Sequence, residues 1–341
     1  MPQKYTFDRL NIMFLLGICM STLGIANAQS TINTDGSSTV YPITKAVADK
    51  FQIAKKNAVN VTVNISGSGG GFKKFCRGEI DIVNASRPIL KNEMKDCESS
   101  RIQYVEIPIA FDALTVAVNP GNNWGTTMTI AELKKIWEPA AQGTITRWKQ
   151  VNPTWPDEPI KLYGADSDSG TYDYFSKAIV GKAKSSRSDF TESEDDNVLV
   201  NSVASDKNAL GFFGFAYYIE NENKVTAVAI NNGKGQGAIA PSVETVENGK
   251  YQPLSRPIFI YVNAKAIEKP EVKEFVEFYL KNALLLVKEA SFFPLPPRAY
   301  TTMLEHFNKK RTGSVFIGIP VVGLTIDELI RREDRLPYEN F

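Results

Sequence analysis

Hydrophobic residues recur along the chain in two periods, one helical and one strand-like, and segments of the two kinds follow one another. Val40, Ile43, Val47, Phe51 and Ala54 step by three and four positions, which predicts an amphipathic helix. Strands are predicted over 61–65, over 79–88 including a polar end, over 105–118 as two short strands, and over 160–163 and 256–262. Further helices are predicted after 67–71 and over 91–98, 129–137, 169–181 and 272–287. A last short helix is predicted to begin at Thr325. This order predicts an α/β fold.

The chain length predicts two domains. Just over 300 residues follow the N-terminal leader described below, enough for two α/β domains. The second strand within 105–118 leaves the first domain and the strand over 256–262 returns to it, so we expect a two-strand hinge. The predicted first domain is discontinuous, over 29–118 and 263–341, and the second covers 119–262.

Residues 1–28 have the three parts of a secretory signal peptide. Lys4 and Arg9 form the charged region, 12–18 is an apolar run, and 26–28 is a small-residue cleavage site. The run is too short for a membrane span, which needs about 20 residues. We therefore predict a soluble, exported mature chain. A lipid anchor at Cys19 is an alternative that the bulky Ile18 disfavours.

Removal of the leader leaves Cys76 and Cys97 as the only cysteines, an even pair in an exported chain. We predict that they form a disulfide, because two thiols without a nearby histidine cannot complete a zinc site. The mature chain keeps 37 basic and 37 acidic residues of the 39 and 38 in the full sequence. Because the charges balance, the chain has no net positive potential to attract nucleic acid or an anionic membrane. An anion must therefore be recognised by the groups of one site.

Three segments place small hydroxyl residues or glycines directly before a predicted helix. They are 35–42 (Asp-Gly-Ser-Ser-Thr-Val-Tyr-Pro), 67–74 (Gly-Ser-Gly-Gly-Gly-Phe-Lys-Lys) and 166–175 (Asp-Ser-Asp-Ser-Gly-Thr-Tyr-Asp-Tyr-Phe). Unpaired N–H groups and the helix dipole favour an oxyanion at such positions. Each segment alone is also compatible with an ordinary helix cap. Together they predict helix N-termini that converge on one small tetrahedral anion.

The motifs resemble those of the periplasmic phosphate-binding protein of the phosphate-specific (Pst-type) ABC importer. Four of them occur in the family's order, including Asn84-Ala-Ser-Arg-Pro88 and Asp168-Ser-Gly-Thr171. The resemblance implies a type II periplasmic-binding-protein fold, in which two α/β domains close on phosphate in the cleft between them. It also implies a periplasmic monomer without cofactor, metal or nucleic acid, which delivers phosphate to the transmembrane permease subunits of the importer.

The resemblance also implies a set of phosphate-binding residues, to which we add Arg87 as the charged ligand because a guanidinium can bind two phosphate oxygens. The set comprises Ser38, Thr39, Ser68, Ser169, Gly170 and Thr171. Some family members have an aspartate at the position of Arg87, which accepts the proton of hydrogen phosphate, and an arginine at the position of Ala165. Asp168 is our candidate for a replacement acceptor, with Asp166 and Asp35 as alternatives and a surface cap as the competing role.

A hydrolase of phosphate esters, or a binding protein for another oxyanion, is the alternative function. The sequence has one histidine, His306, and no supporting motif for a catalytic triad, and we interpret His306 as a helix-surface residue. The carboxylates around 166–173 do not match a calcium loop, because Lys177 stands where its glutamate belongs. We therefore predict a binding protein and not an enzyme.

Overall fold

The computed structural model describes residues 29–335, together with Met1 and Gln3. The predicted signal peptide therefore lies, apart from those two residues, outside the described part of the chain. Among the described residues, no helix combines the length and apolar composition needed to cross a bilayer.

Strands and helices follow one another along the chain, as the apolar periodicity predicts. The strands are β1 (Ser30–Gly36), β2 (Val59–Val63), β3 (Ile82–Ala85), β4 (Tyr104–Val118), β5 (Thr127–Thr129), β6 (Lys161–Gly164), β7 (Thr191–Glu192), β8 (Ala209–Gly214), β9 (Thr226–Ala227), β10 (Ala229–Asn231), β11 (Ala238–Ile239), β12 (Ser255–Asn263) and β13 (Phe293–Pro294). The helices are α1 (Tyr41–Ala54), α2 (Gly67–Cys76), α3 (Lys91–Ser99), α4 (Ile130–Trp137), α5 (Trp148–Val151), α6 (Gly170–Ile179), α7 (Asp196–Ser205), α8 (Phe215–Glu220), α9 (Val243–Glu247), α10 (Pro270–Glu289), α11 (Pro297–Asn308) and α12 (Ile326–Glu333), with short 3-10 helices at Pro139–Ala141 and Ala266–Glu268.

The main sheet has the strand order β2-β1-β3-β12-β4-β8-β6-β7. Strand β1 is parallel to β2 and β3, and β6 is parallel to β7 and β8, whereas β12 and β4 run antiparallel to their neighbours. Strands β9 and β13 also pair with β4, and β11, β10 and β5 form a separate small sheet. The parallel strands on either side of the central antiparallel pair are the pattern of a mixed α/β protein.

Strand β4 runs through both halves of this sheet. It is buried along its whole length, pairs with β12 over 104–113 and pairs with β8 over 114–118. We call the sheet half with β1, β2, β3, β12 and residues 104–113 the first lobe, and the half with β6, β7, β8 and residues 114–118 the second lobe. Helices α1, α2, α3 and α10 pack in the first lobe, and α4, α6 and α7 in the second.

The structure has one continuous β4 where the sequence predicts two short strands. Pro108 lies at a register shift, opposite Phe259, where one strand carries an extra residue. A proline, which cannot donate a ladder hydrogen bond, is tolerated at such an irregularity. The proline therefore marks a bulge and not the end of a strand.

The predicted division at 118/119 and 262/263 stays a prediction. In the structure, β12 pairs over Ser255–Asn263 with β3 and β4 of the first lobe. The strand predicted over 256–262 is therefore on the first-lobe side.

Candidate anion-binding site

Hydroxyl groups from the two lobes meet between α1 and α6. Thr39 precedes α1 and Thr171 lies in the first turn of α6, and their Oγ1 atoms are 3.1 Å apart. The Ser169 side chain caps α6 by accepting a hydrogen bond from the N–H of Thr171. The structure thus brings together the first and third of the predicted segments.

The second segment lies beside the same place. Ser68 is fully buried in the first turn of α2, and its Oγ accepts the N–H of Ser86 and lies 3.2 Å from the Ser86 Oγ. A Cβ on Gly170 would be only 2.4 Å from the Oγ atoms of both serines. Only a glycine therefore lets the start of α6 approach these hydroxyls. Sequence reasoning singled out the motif that contains Ser86 but took only Arg87 from it.

Arg256 is the main site residue that sequence reasoning missed. It is fully buried, and its Nη2 donates to Thr171 Oγ1 at 2.8 Å and to Thr39 Oγ1 at 3.3 Å. Its Nη1 donates to the carbonyl of Gly170. One guanidinium thus contacts donor groups of both lobes, and it places a permanent positive charge among neutral hydroxyls.

Asp112 holds Arg256 in place. Its Oδ2 accepts hydrogen bonds from Nε and Nη2 of Arg256 at 3.1 and 2.9 Å. The aspartate is fully buried, which raises its pKa above the ordinary value although Arg256 opposes the shift. The backbone N–H groups of Ala113 and Phe215 face the carboxylate and favour its charged form, but neither makes a well-aligned hydrogen bond to Oδ1 within the described residues. A buried carboxylate oxygen is therefore available beside the anion donors.

Arg87 lies nearby with a different set of partners. It is 1% exposed, donates through Nη1 and Nη2 to Glu93 at 2.8 Å each, and donates through Nε to Asp173 of α6 at 2.6 Å. Burial alone would lower the pKa of Arg87, but the two carboxylates raise it above its ordinary value. Because Asp173 belongs to the second lobe, this ion pair joins the lobes. The role of Arg87 as a phosphate ligand stays a prediction.

The three candidate proton acceptors each have other partners. Both carboxylate oxygens of Asp168 accept from Lys73 at 2.9 Å. Asp166 accepts the N–H of Asp168, and Asp35 accepts from Lys74, Ser66 and the N–H of Gly36. Their roles as acceptors of the phosphate proton stay predictions.

Ser38 faces the second lobe. Its Oγ donates to Glu194 Oε1 at 3.1 Å, and its carbonyl accepts from the Tyr217 hydroxyl. The predicted role of Ser38 as an anion donor stays a prediction, since in this arrangement its hydroxyl hydrogen is directed at a carboxylate.

His306 is buried, which corrects its interpretation as a helix-surface residue. Only 5% of it is exposed, and its ring contacts Arg311 and, at 3.8 Å, Glu333. Burial, together with the charge of Arg311, lowers its pKa to about 4. Among the described residues, no group of three or more His, Cys, Asp or Glu side chains is placed to hold a metal ion.

The disulfide prediction is confirmed. Cys76 ends α2 and Cys97 lies in α3, and the two sulfur atoms are bonded in the structure. The bond fixes α2, whose first turn carries Ser68, to the helix that follows the Arg87 loop.

Comparisons with known proteins identify the family. A family model described as a PBP superfamily domain matches residues 23–283. The chain is 51% identical over 322 residues to protein SphX of Synechocystis sp., covering 94% of both chains. It is 36% identical to the phosphate-binding protein PstS of Staphylococcus saprophyticus, covering 88% of this chain and 92% of the relative.

Solved structures agree with these relatives. A putative phosphate ABC transporter substrate-binding protein from Clostridium perfringens, with bound phosphate, matches with a TM-score of 0.66 and 25% identity over 78% of this chain and 100% of that one. A possible phosphate-binding protein from Planctomyces limnophilus matches with a TM-score of 0.62 and 47% identity over 82% and 98%. The predicted type II periplasmic-binding-protein fold is confirmed. The chain belongs to the Pst-type phosphate-binding proteins of the PBP superfamily.

Proposed function

We propose that the mature chain captures one inorganic phosphate between its lobes in the periplasm and delivers it, unaltered, to the transmembrane subunits of an ABC importer. Two observations on similar proteins support this: PstS relatives are named phosphate-binding proteins, and the structure from Clostridium perfringens contains bound phosphate. The balanced charge of the chain gives no reason to expect a nucleic-acid partner. We expect the protein to act as a monomer.

The position of Arg256 carries the proposal. Hydrogen phosphate is a small dianion, and a buried guanidinium beside hydroxyls and a helix N-terminus provides both opposite charge and donors. Arg256 contacts Thr39 of the first lobe and Thr171 of the second. A ligand seated there would hold the lobes together.

The proposed ligand set extends the one that the sequence predicts. It adds Arg256 and Ser86 to Thr39, Ser68, Gly170 and Thr171, while Ser38, Ser169 and Arg87 remain predicted members. We infer that Asp112 is a stronger candidate than Asp168 for accepting the phosphate proton, because Asp112 Oδ1 has no hydrogen-bond partner within the described residues, whereas Asp168 is paired with Lys73. An acceptor favours hydrogen phosphate over sulfate, which carries no proton.

The hydrolase alternative requires a general base at the site. His306 contacts Arg311 and Glu333, and none of its described contacts is with the hydroxyl cluster. We propose that the protein binds phosphate without turnover, because the PstS relatives are named phosphate-binding proteins and His306 lies apart from the site hydroxyls. Since a carboxylate such as Asp112 could also act as a base, an assay of ester hydrolysis tests this point.

Calorimetric titration of the purified mature chain tests the function. We expect one phosphate per chain, weaker binding of sulfate, and no release of product from p-nitrophenyl phosphate in a parallel assay. Absence of heat with phosphate, or sustained ester hydrolysis, would reject the proposal. Arsenate and a phosphonate should be titrated alongside to define which oxyanions the site accepts.

A further inference from the structure

A cleft of about 540 Å³ lies between the lobes beside Ser38 and is lined by five carboxyl groups of the second lobe. None of the described lining residues is basic. Three of the carboxylates have compensating partners: Asp168 is paired with Lys73, Asp166 accepts the N–H of Asp168, and Asp195 caps α7. Two, Glu194 and Asp196, keep a buried oxygen without a hydrogen-bond partner in the described structure.

Glu194 contacts the first lobe directly. Its Oε1 is 3.1 Å from Ser38 Oγ, while its Oε2 is the buried, unsatisfied oxygen. Asp166 and Asp196 face it from the loop after β6 and from α7, and Tyr41 and Tyr217 line the same cleft. A buried carboxylate surrounded by acids is costly when ionised and is better accommodated as the neutral acid.

The protonation state of Glu194 determines which way the Ser38 hydroxyl can donate. A carboxylate only accepts, so ionised Glu194 takes the single hydrogen of Ser38. A neutral carboxylic acid has its own O–H and can donate to Ser38 Oγ over the same distance. The Ser38 hydrogen is then free to point at an anion.

We propose that Glu194 is a positioning residue for phosphate capture: as a neutral acid it directs the Ser38 hydroxyl toward phosphate, and as a carboxylate it directs the hydroxyl away. The proposal rests on the proposed function and on Ser38 as a phosphate donor. The proton is exchanged with solvent, and phosphate is not altered.

The sign of the pH dependence follows from burial. Burial between the lobes, with the charges of Asp166 and Asp196, raises the pKa of Glu194 from 4.5 to about 8. The closed form therefore binds a proton that the open, solvated form releases near neutral pH. Phosphate affinity is therefore at its full value below about pH 4.5, falls by up to about tenfold per pH unit between the two pKa values, and levels off above about pH 8.

The test measures the phosphate dissociation constant of the mature chain by calorimetry at pH 6, 7, 8 and 9, for wild type and Glu194→Gln. Glutamine keeps a donor toward Ser38 at every pH. Dividing one dissociation constant by the other removes the titration of phosphate itself and of groups common to both proteins, including Asp196, whose pKa burial raises to about 7. We expect the ratio of wild type to Glu194→Gln to rise by up to about a hundredfold between pH 6 and pH 8 and to change little from pH 8 to pH 9. Glu192→Gln, the control, removes an exposed carboxylate two residues away. The ratio of the dissociation constants of wild type and Glu192→Gln should not change with pH.

A ratio for Glu194→Gln that stays flat from pH 6 to 9 overturns the inference while leaving phosphate binding intact. No binding by wild type at any pH overturns the proposed function as well. Ser38→Ala provides a second variant in case Glu194→Gln does not fold. Its loss of affinity relative to wild type should be larger at pH 6 than at pH 9, and an equal loss at both values contradicts the inference.

Discussion

Arg256 is the single side chain whose removal should weaken phosphate binding most. A hydrogen bond to a charged group contributes about 1.5–3 kcal/mol, so Arg256→Ala should weaken binding by about tenfold to more than a hundredfold. Calorimetric titration of the folded variant at constant pH and salt measures the change, and urea unfolding measures separately the stability lost because Asp112 stays buried without its cation. Arg147→Ala, which removes a half-exposed arginine paired with Asp157, is the matched control and should bind as wild type does.

Arg87→Ala should act mainly on stability. The substitution leaves the carboxylates of Glu93 and Asp173 buried without their cation, which typically costs about 3–5 kcal/mol. Urea unfolding measures this loss, and titration of the folded variant measures phosphate. An equal loss of phosphate affinity in Arg87→Ala and Arg256→Ala would show that Arg87 contributes to capture, either as the ligand that the sequence predicts or through its ion pair with Asp173 between the lobes.

Asp112→Asn and Asp168→Asn together identify the acceptor of the phosphate proton. An amide at the acceptor position can turn its NH₂ toward the anion, so the preference for phosphate over sulfate should fall by about tenfold or more. We expect this for Asp112→Asn and an unchanged preference for Asp168→Asn. The measured quantity is the ratio of the two dissociation constants in each variant, and the reverse outcome would assign the role to Asp168.

The site residues that lie in the helix-start motifs could be predicted from the sequence, whereas those that only the tertiary fold brings to the site could not. Thr39, Gly170 and Thr171 stand at helix starts, where unpaired N–H groups are a property of the local chain. Arg256 and Asp112 each lie in an apolar strand, and the sequence pattern of these strands indicates only that they are buried. They meet because β12 and β4 pair antiparallel with these two residues directly opposite each other, and this register is a tertiary property.

At the scale of elements, the glycines of 67–71 show how packing overrides propensity. The sequence predicts a turn there, since glycine weakens a helix, but α2 begins at Gly67 itself. A Cβ on Gly71 would lie 2.7 Å from Gly36 Cα in β1 and from a methyl group of Val83 in β3. The glycine therefore serves close contact between helix and sheet, which the sequence alone does not reveal.

The disulfide between α2 and α3 should contribute measurably to stability. It links residues 21 positions apart, for which loop-closure entropy gives about 3 kcal/mol. Urea unfolding of Cys76→Ser/Cys97→Ser should show a loss of this size. Phosphate affinity should change little, because neither sulfur belongs to the site. A double variant as stable as wild type would contradict the estimate.

At the scale of the whole molecule, Gly67 allows the lobes to close. A Cβ there would lie 2.5 Å from the carbonyl oxygen of Asp168, whereas a Cβ on Gly143 would meet nothing within 4 Å. Both glycines have positive φ values, +71° and +66°, so alanine at either position costs about 1–2 kcal/mol of backbone strain. We expect only Gly67→Ala to weaken phosphate binding.

Titration and small-angle X-ray scattering test this pair. With phosphate present, Gly67→Ala should keep a larger radius of gyration than wild type, and Gly143→Ala should not. Equal phosphate affinity in the two variants would show that contact between Gly67 and Asp168 is not needed for capture.

The burial of Arg256 has a consequence for kinetics. A phosphate ion seated beside this fully buried side chain would be shielded from water while the lobes stay together. Its escape then requires the lobes to part, so opening of the lobes gates its release. The ion pair between Lys73 and Asp168 joins the lobes. Such contacts therefore influence how long phosphate stays bound. A transporter that separates the lobes can release the phosphate without competing for the protein groups that bind it.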